Sequence, residues 1–109
     1  MTQSGRDAAL QRIRAAYDRR SATYSMLERW VYLVRQEKER AVIEWARDVQ
    51  PGPLADLRLV ELGCGTGGNL LDFLRLGLSP ENLAGVDLID SRVEAARRLL
   101  PRQVALHCG

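Results

Sequence analysis

The stretch Leu59–Gly68, which reads LVELGCGTGG, decides the fold of this chain. It is a short apolar run that leads into a glycine-rich turn, and Glu61 stands two positions before the first glycine. A second apolar run, LAGV, ends at Asp87, nineteen residues after Gly68. A strand, a glycine turn, a helix, a second strand and an acid at its tip are the order found in the nucleotide-binding half of a Rossmann-type sheet.

The chain after the glycine turn predicts a β-α-β-α-β unit with a parallel sheet. Apolar residues at helix spacing predict a helix over 69–76 and another over about 92–100, and the run 104–108 predicts a third strand. The side chains expected to be buried by the second helix are Val93, Ala96, Leu99 and Leu100. With strands in the order 3-2-1, the first strand would be an open edge of the sheet.

The charge of Glu61 indicates which nucleotide the turn binds. Gly63, Gly65 and Gly68 satisfy the G-x-G-x-x-G spacing, so the glycines alone leave NAD open. A dinucleotide brings a pyrophosphate to such a turn, and a carboxylate about 5 Å away would repel each phosphate charge by about 3 kcal/mol at an effective dielectric of about 20. S-adenosylmethionine carries an ammonium and a sulfonium and has no phosphate. The carboxylate would attract it, unless Glu61 simply points to solvent, which its two apolar neighbours argue against.

Asp87 is the second expected anchor. At the carboxyl end of a parallel strand it can accept both ribose hydroxyls, which NAD and S-adenosylmethionine share. Asp87 could instead cap the next helix, but Asp90 and Ser91 are better placed for that role. The sequence therefore predicts that Asp87 is free for a ligand and that Leu88 offers an apolar surface to the adenine.

The two segments LVELGCGTGG and LAGVDLIDSRVEAARR resemble motif I and the following motif of the class I S-adenosylmethionine-dependent methyltransferases, over about residues 54–109. The resemblance implies a partial Rossmann-like methyltransferase fold of the α/β class, preceded by N-terminal helices. It also implies that Glu61 faces the methionine amino end, that the glycine turn passes under the methionine, and that Asp87 holds the ribose. The residues expected to bind the cofactor are Glu61, Gly63, Cys64, Gly65, Thr66, Asp87 and Leu88.

The resembling family carries its acceptor pocket on further strands, whereas this chain stops at Gly109. We therefore expect the cofactor-binding half of a methyltransferase, inactive alone, whose acceptor is an unidentified small molecule or glycan and whose catalytic residues are unknown. The open sheet edge predicts low stability or self-association. An NAD-dependent oxidoreductase fragment and a non-catalytic module that binds S-adenosylmethionine remain as alternatives.

The N-terminal residues 1–50 have a helical pattern, and Pro51-Gly52-Pro53 separates them from the Rossmann-like part, residues 51–109. Tyr17 and Tyr24 resemble the aromatic residues in the leader of many methyltransferases, where they fold over the cofactor as a lid. Simple packing against the sheet is the competing interpretation of both tyrosines.

Composition restricts partners and compartment. Sixteen basic and fourteen acidic residues give a net charge of +2 with no concentrated basic stripe, so nucleic-acid binding is not expected. No apolar stretch is long enough to cross a bilayer. Cys64 and Cys108 form no C-x-x-C pair and His107 is the only histidine, so the sequence predicts neither a metal site nor a redox motif. This pattern is typical of a reducing, cytoplasmic location.

Overall fold

The structure is a computed structural model, and it describes residues 2–21 and 25–109. The helices are α1 (Gln3–Ser21), α2 (Arg29–Val49), α3 (Gly68–Leu76) and α4 (Asp90–Leu99), and the strands are β1 (Leu59–Leu62), β2 (Leu83–Asp87) and β3 (Ala105–Cys108). The described chain divides after Glu44 into two compact units.

The three strands form one parallel sheet in the order β1-β2-β3. Leu59 pairs with Leu83, and Ala84 pairs with Ala105, so each strand follows the previous one across the sheet. A helix connects each consecutive pair of strands, as parallel neighbours require. The predicted β-α-β-α-β arrangement is confirmed, with β1 at the edge of the sheet.

Helix α3 follows the glycine turn because its apolar residues recur at helix spacing. Leu70 is completely buried, and Leu71, Phe73 and Leu74 pack partly buried against the core. The helix ends at Gly77, whose φ of +123° suits a residue without a Cβ. Its N–H donates to the carbonyl oxygens of Phe73 and Leu74, which satisfies two groups at the helix end.

Helix α4 buries one narrow stripe against the sheet. Val93 and Ala96 are fully buried, and Leu100, directly after the helix, is 6% exposed. The predicted burial of Leu99 is wrong, because this side chain is 49% exposed. Residues 93, 96 and 100 are spaced by three and four and share a face, whereas residue 99 lies about 120° around the helix from residue 93.

The core lies on one face of the sheet, between β1, β2 and the two helices of the second unit. Its buried members are Cys64, Leu70, Leu78, Leu83, Ala96, Leu100 and Val104. On β1 the alternate residues Val60 and Leu62 are 63% and 81% exposed, so they lie on the opposite face. The sheet therefore buries one face against α3 and α4 and leaves apolar side chains of β1 on the other.

The N-terminal unit is helical, as the apolar spacing predicts, with α1 of 19 residues and most of α2, which has 21. Val31 of α2 is completely buried. Over residues 2–21 and 25–109, no helix combines the length and apolar character that crossing a membrane requires.

Candidate cofactor-binding site

The glycine turn after β1 is fixed to the end of β2 by backbone hydrogen bonds. Gly63 and Cys64 both donate their N–H groups to the carbonyl oxygen of Val86, at 2.7 and 3.0 Å. Gly63 and Gly65 have positive φ angles of 74° and 56°, which residues with a Cβ rarely adopt. These bonds place the turn at the carboxyl edge of the sheet, where ligands of open α/β sheets bind.

The Asp87 carboxylate links β2 to this turn. Its Oδ2 accepts the Gly65 N–H at 2.9 Å, and its Oδ1 accepts the Ile89 N–H at 2.9 Å. Asp87 therefore has two backbone partners in the protein, and its predicted role toward a ligand stays a prediction. Each carboxylate oxygen has a second lone-pair site, so both can still accept a hydrogen bond from a ribose hydroxyl.

The caps expected for α4 are also different from those observed. The helix begins at Asp90, and Ile89 is the residue at its N-terminal boundary. Asp90 accepts a hydrogen bond from the N–H of Ser91, its immediate neighbour, at 3.0 Å. Asp87 accepts a hydrogen bond from the N–H of Ile89, directly before the helix. Asp87 was not expected to cap α4, but this bond helps to fix the start of the helix.

Glu61 lies half-buried on the core face of β1. Its Oε1 accepts a hydrogen bond from Nδ2 of Asn69 at 3.2 Å. This contact holds the carboxylate against the first turn of α3, beside the glycine turn. Asn69 was missed by sequence reasoning, although an amide on the first turn of a helix after a glycine turn is placed to orient an acid on the strand before it.

Cys64 reports the electrostatic character of the turn. Its side chain is 5% exposed, and burial raises the pKa of its thiol, with further upward contributions from the negative charges of Asp87 and then Glu61. Both carboxylates therefore lie close enough to the turn to disfavour a negative charge there. The same field favours a cation. The neutral thiol packs as a small apolar side chain and is not an activated nucleophile.

Close packing behind the turn depends on Gly85 in β2. A Cβ on Gly85 would lie 2.8 Å from Sγ of Cys64 and 2.9 Å from Cδ1 of Leu70. Only a glycine lets the turn and α3 approach β2 this closely. Sequence reasoning missed this role, because a single glycine inside a strand gives no indication of which neighbours it contacts.

Arg92 adds a positive charge that sequence reasoning also missed. It is half-buried in the first turn of α4, and its Nη1 lies 3.4 Å from the position of a Cβ on Gly65. The guanidinium therefore lies where it would touch a side chain placed on Gly65. The charged side chains grouped around the turn are Glu61, Asp87 and Arg92.

The other predicted site residues fall into two groups. Gly63 and Thr66 are exposed at the turn, and Leu88 is 50% exposed after β2, so all three are accessible to a ligand. Of the proposed lid, Tyr24 lies outside the described residues, and Tyr17 lies in α1 with a side chain that is not described. The lid therefore stays a prediction. Across the described parts of the chain, no group of three or more His, Cys, Asp or Glu residues could hold a metal ion.

Comparison with known proteins supports the class of fold. No family model and no curated protein matches the sequence. Among solved structures, the chain is similar to S-adenosylmethionine-bound CalS10, an amino pentose methyltransferase from Micromonospora echinaspora involved in calicheamicin biosynthesis. The identity is 28% and the TM-score 0.53, over 89% of this chain and 34% of that chain. It is also similar in fold to PH0226 protein from Pyrococcus horikoshii OT3, with 21% identity and a TM-score of 0.52, over 80% of this chain and 36% of that chain.

The parallel sheet, the glycine turn and these similarities define a class I S-adenosylmethionine-dependent methyltransferase fold, present in part. The chain spans about a third of the length of the structures it matches. The predicted resemblance and fold class are confirmed.

Proposed function

We propose that this chain binds S-adenosylmethionine and is the cofactor-binding part of a class I methyltransferase. The observation that carries the proposal is the position of two carboxylates, Glu61 and Asp87, at one glycine turn. The negative charges of both carboxylates contribute to the raised pKa of the Cys64 thiol, so both act on the region around the glycine turn. S-adenosylmethionine brings two positive groups and no phosphate, and it therefore suits this field better than a dinucleotide does.

Different residues of the chain bind different parts of S-adenosylmethionine in this proposal. Glu61 binds the ammonium of the methionine end in this proposal, and Asp87 binds the ribose hydroxyls; the hydrogen bond from Asn69 to Glu61 and the bond from Gly65 to Asp87 support these roles. The exposed Leu88 gives the adenine an apolar surface. When bound, the cofactor supplies an activated methyl group on its sulfonium. The contribution of the protein is to hold the donor in a fixed orientation, because alignment of two reactants alone removes much of the barrier to such a displacement.

The acceptor that we propose is a small molecule or a glycan-type compound. The similarity to CalS10, an amino pentose methyltransferase, supports this class of acceptor. Both cysteines are free thiols, which fits the reducing, cytoplasmic location that we also propose. No residue of this chain is assigned to the acceptor or to proton transfer.

An NAD-dependent oxidoreductase is the second candidate, and Arg92 is the observation in its favour. A guanidinium against a glycine turn is a suitable counter-charge for a phosphate, and arginine binds phosphates in a bidentate manner. Two carboxylates at the same turn outweigh this single positive charge. S-adenosylmethionine therefore remains the preferred ligand.

Substitution of Glu61 tests the proposal. Glu61→Gln keeps the oxygen that accepts from Asn69 and removes the charge, so the fold should be maintained. We expect the affinity for S-adenosylmethionine, measured by calorimetry, to fall about tenfold, which corresponds to about 1.4 kcal/mol for one lost charge interaction across the site. Because the lost charge would repel a phosphate, Glu61→Gln should bind NADH no more weakly than the unchanged chain does.

Glu81→Gln is the matched control, because Glu81 is exposed in a turn before β2 and away from the glycine turn in sequence. Its affinity for S-adenosylmethionine should equal that of the unchanged chain. Equal losses in both variants, or no loss in Glu61→Gln, would contradict the role of the Glu61 charge. A methyl-transfer assay with amino sugars and other small acceptors tests the enzymatic part.

A further inference from the structure

Arg92 occupies a position at the glycine turn that the proposed binding roles leave unexplained. Its Nη1 lies 3.4 Å from the place of a Cβ on Gly65, and the N–H of that same glycine donates to Asp87. Val93, the next residue, is completely buried, so α4 is anchored to the core at this point. Arg92 therefore belongs to a helix that is anchored to the core, and its guanidinium lies beside the turn.

The methyl donor and its product differ in charge at one atom. S-adenosylmethionine has a sulfonium, whereas the demethylated product has a neutral thioether, and the remaining groups of the two molecules are the same. The donor also carries the additional methyl group on its sulfur, so the change in the ratio of their affinities when a protein charge is removed reports the electrostatic potential of that charge at the sulfur. Glu61 and Asp87 make that potential negative and favour the donor, and a nearby guanidinium makes it less negative.

We propose that Arg92 is a specificity-determining residue that reduces the preference of the site for the charged donor over the neutral product. The inference rests on the proposed function, because it requires S-adenosylmethionine at this turn. Arg92 acts through its charge on the sulfur of the ligand and takes no part in the transfer itself. The two carboxylates attract the charged donor, and Arg92 reduces the difference between the affinities for donor and product.

Calorimetric titrations of the full chain with S-adenosylmethionine and with S-adenosylhomocysteine test this role. Arg92→Gln and Arg92→Met both remove the charge. Two variants are used so that the ratio can still be measured if one of them does not fold. We expect the ratio of the product Kd to the donor Kd to rise on the order of tenfold in both variants at low salt. The rise should shrink as salt is added, because ions screen the interaction.

Two further variants separate charge from structure. Arg92→Lys keeps the positive charge, and the ratio should stay within about twofold of the unchanged chain. Arg98→Gln removes a charge from an exposed position of the same helix and should leave the ratio unchanged. An unchanged ratio in Arg92→Gln and Arg92→Met, with both ligands bound, would overturn the role of Arg92 and leave the proposed function intact. If neither ligand binds the unchanged chain, the proposed function fails, and the inference fails with it.

Discussion

Asp87 and Gly65 are joined by a hydrogen bond of 2.9 Å from the glycine N–H to a carboxylate oxygen, across 22 positions of sequence. This bond connects the tip of β2 to the turn after β1. The residue that we propose for ribose binding therefore also shapes the glycine turn. Under this proposal, ligand binding and local stability are coupled through the side chain of Asp87.

Asp87→Asn should weaken both properties. The amide can keep one acceptor oxygen, but its NH2 group cannot accept from the backbone N–H that it faces. We expect the free energy of unfolding to fall by about 1–2 kcal/mol in urea titrations, which is the usual cost of leaving such a donor unsatisfied. The affinity for S-adenosylmethionine should also fall, and the loss should be larger than a greater fraction of unfolded chain alone would cause. Normal affinity in a folded Asp87→Asn variant would exclude Asp87 from the ribose site.

Gly85→Ala should destabilise the second unit through a steric clash. The new Cβ would lie 2.8 Å from Sγ of Cys64 and 2.9 Å from Cδ1 of Leu70, and neither neighbour is exposed enough to move aside. We expect a loss of about 1–3 kcal/mol in the free energy of unfolding, typical of an overpacked core.

Adding Cys64→Ala to Gly85→Ala provides the control for that clash. The double variant removes the sulfur atom closest to the new methyl group and keeps Cβ of residue 64, which lies 2.9 Å from it, so the clash is partly relieved and the two changes together should cost less than the sum of their separate effects. Strict additivity of the two losses in urea titrations would show that the contact seen at Sγ is not the source of the strain.

The thiol of Cys64 should react slowly. Its pKa is raised above the ordinary value of 9.0 by burial and by the charges of Asp87 and Glu61, and the thiolate is the reactive form. In alkylation with iodoacetamide followed by mass spectrometry, the exposed Cys108 should be modified first. Modification of Cys64 at an equal or greater rate in the folded chain would contradict the electrostatic description of the turn.

The same shift predicts a dependence of stability on pH. Because the pKa of Cys64 is higher in the folded than in the unfolded chain, the unfolded chain loses this proton first as the pH rises. The contribution to stability is complete below the ordinary value of 9.0 and is lost as the pH rises through the folded pKa. Cys64→Ala should therefore show a smaller alkaline decrease in the free energy of unfolding, measured between pH 8 and about 11.

Most of the fold could be predicted from the sequence, because local patterns determine it. Three strands and the helices between them were predicted from the apolar runs, the helix spacing and the glycines. The site role of Asp87 was predicted from its position at the end of a strand. The roles of Arg92, Asn69 and Gly85 could not be predicted. Each depends on which side chain of another element lies opposite, and that is set by the packing of α3 and α4 on the sheet.

The β1 edge of the sheet is where we propose that two copies of this chain associate. Among the described strands, β1 pairs with β2 alone, and Val60 is 63% exposed. An antiparallel pair about a two-fold axis at Val60 would place this residue opposite its own copy and keep Glu61 away from its own copy, which avoids repulsion between like charges. We expect a concentration-dependent dimer in sedimentation measurements.

Val60→Lys should shift that equilibrium to the monomer, because a charged residue on an edge strand disfavours pairing. Val49→Lys is the matched control, since Val49 is 54% exposed and lies at the end of α2. A monomer at all concentrations of the unchanged chain, or a dimer that both variants weaken equally, would rule out association through β1.

Titration of the unchanged chain with S-adenosylmethionine and, separately, with NADH tests the central claim most directly. The claim is that carboxylates at the glycine turn select a positively charged nucleoside over a phosphorylated one. Calorimetry should show saturable binding of S-adenosylmethionine and no binding of NADH at the same concentrations. Firm binding of NADH, with S-adenosylmethionine and its demethylated product both ignored, would contradict the account.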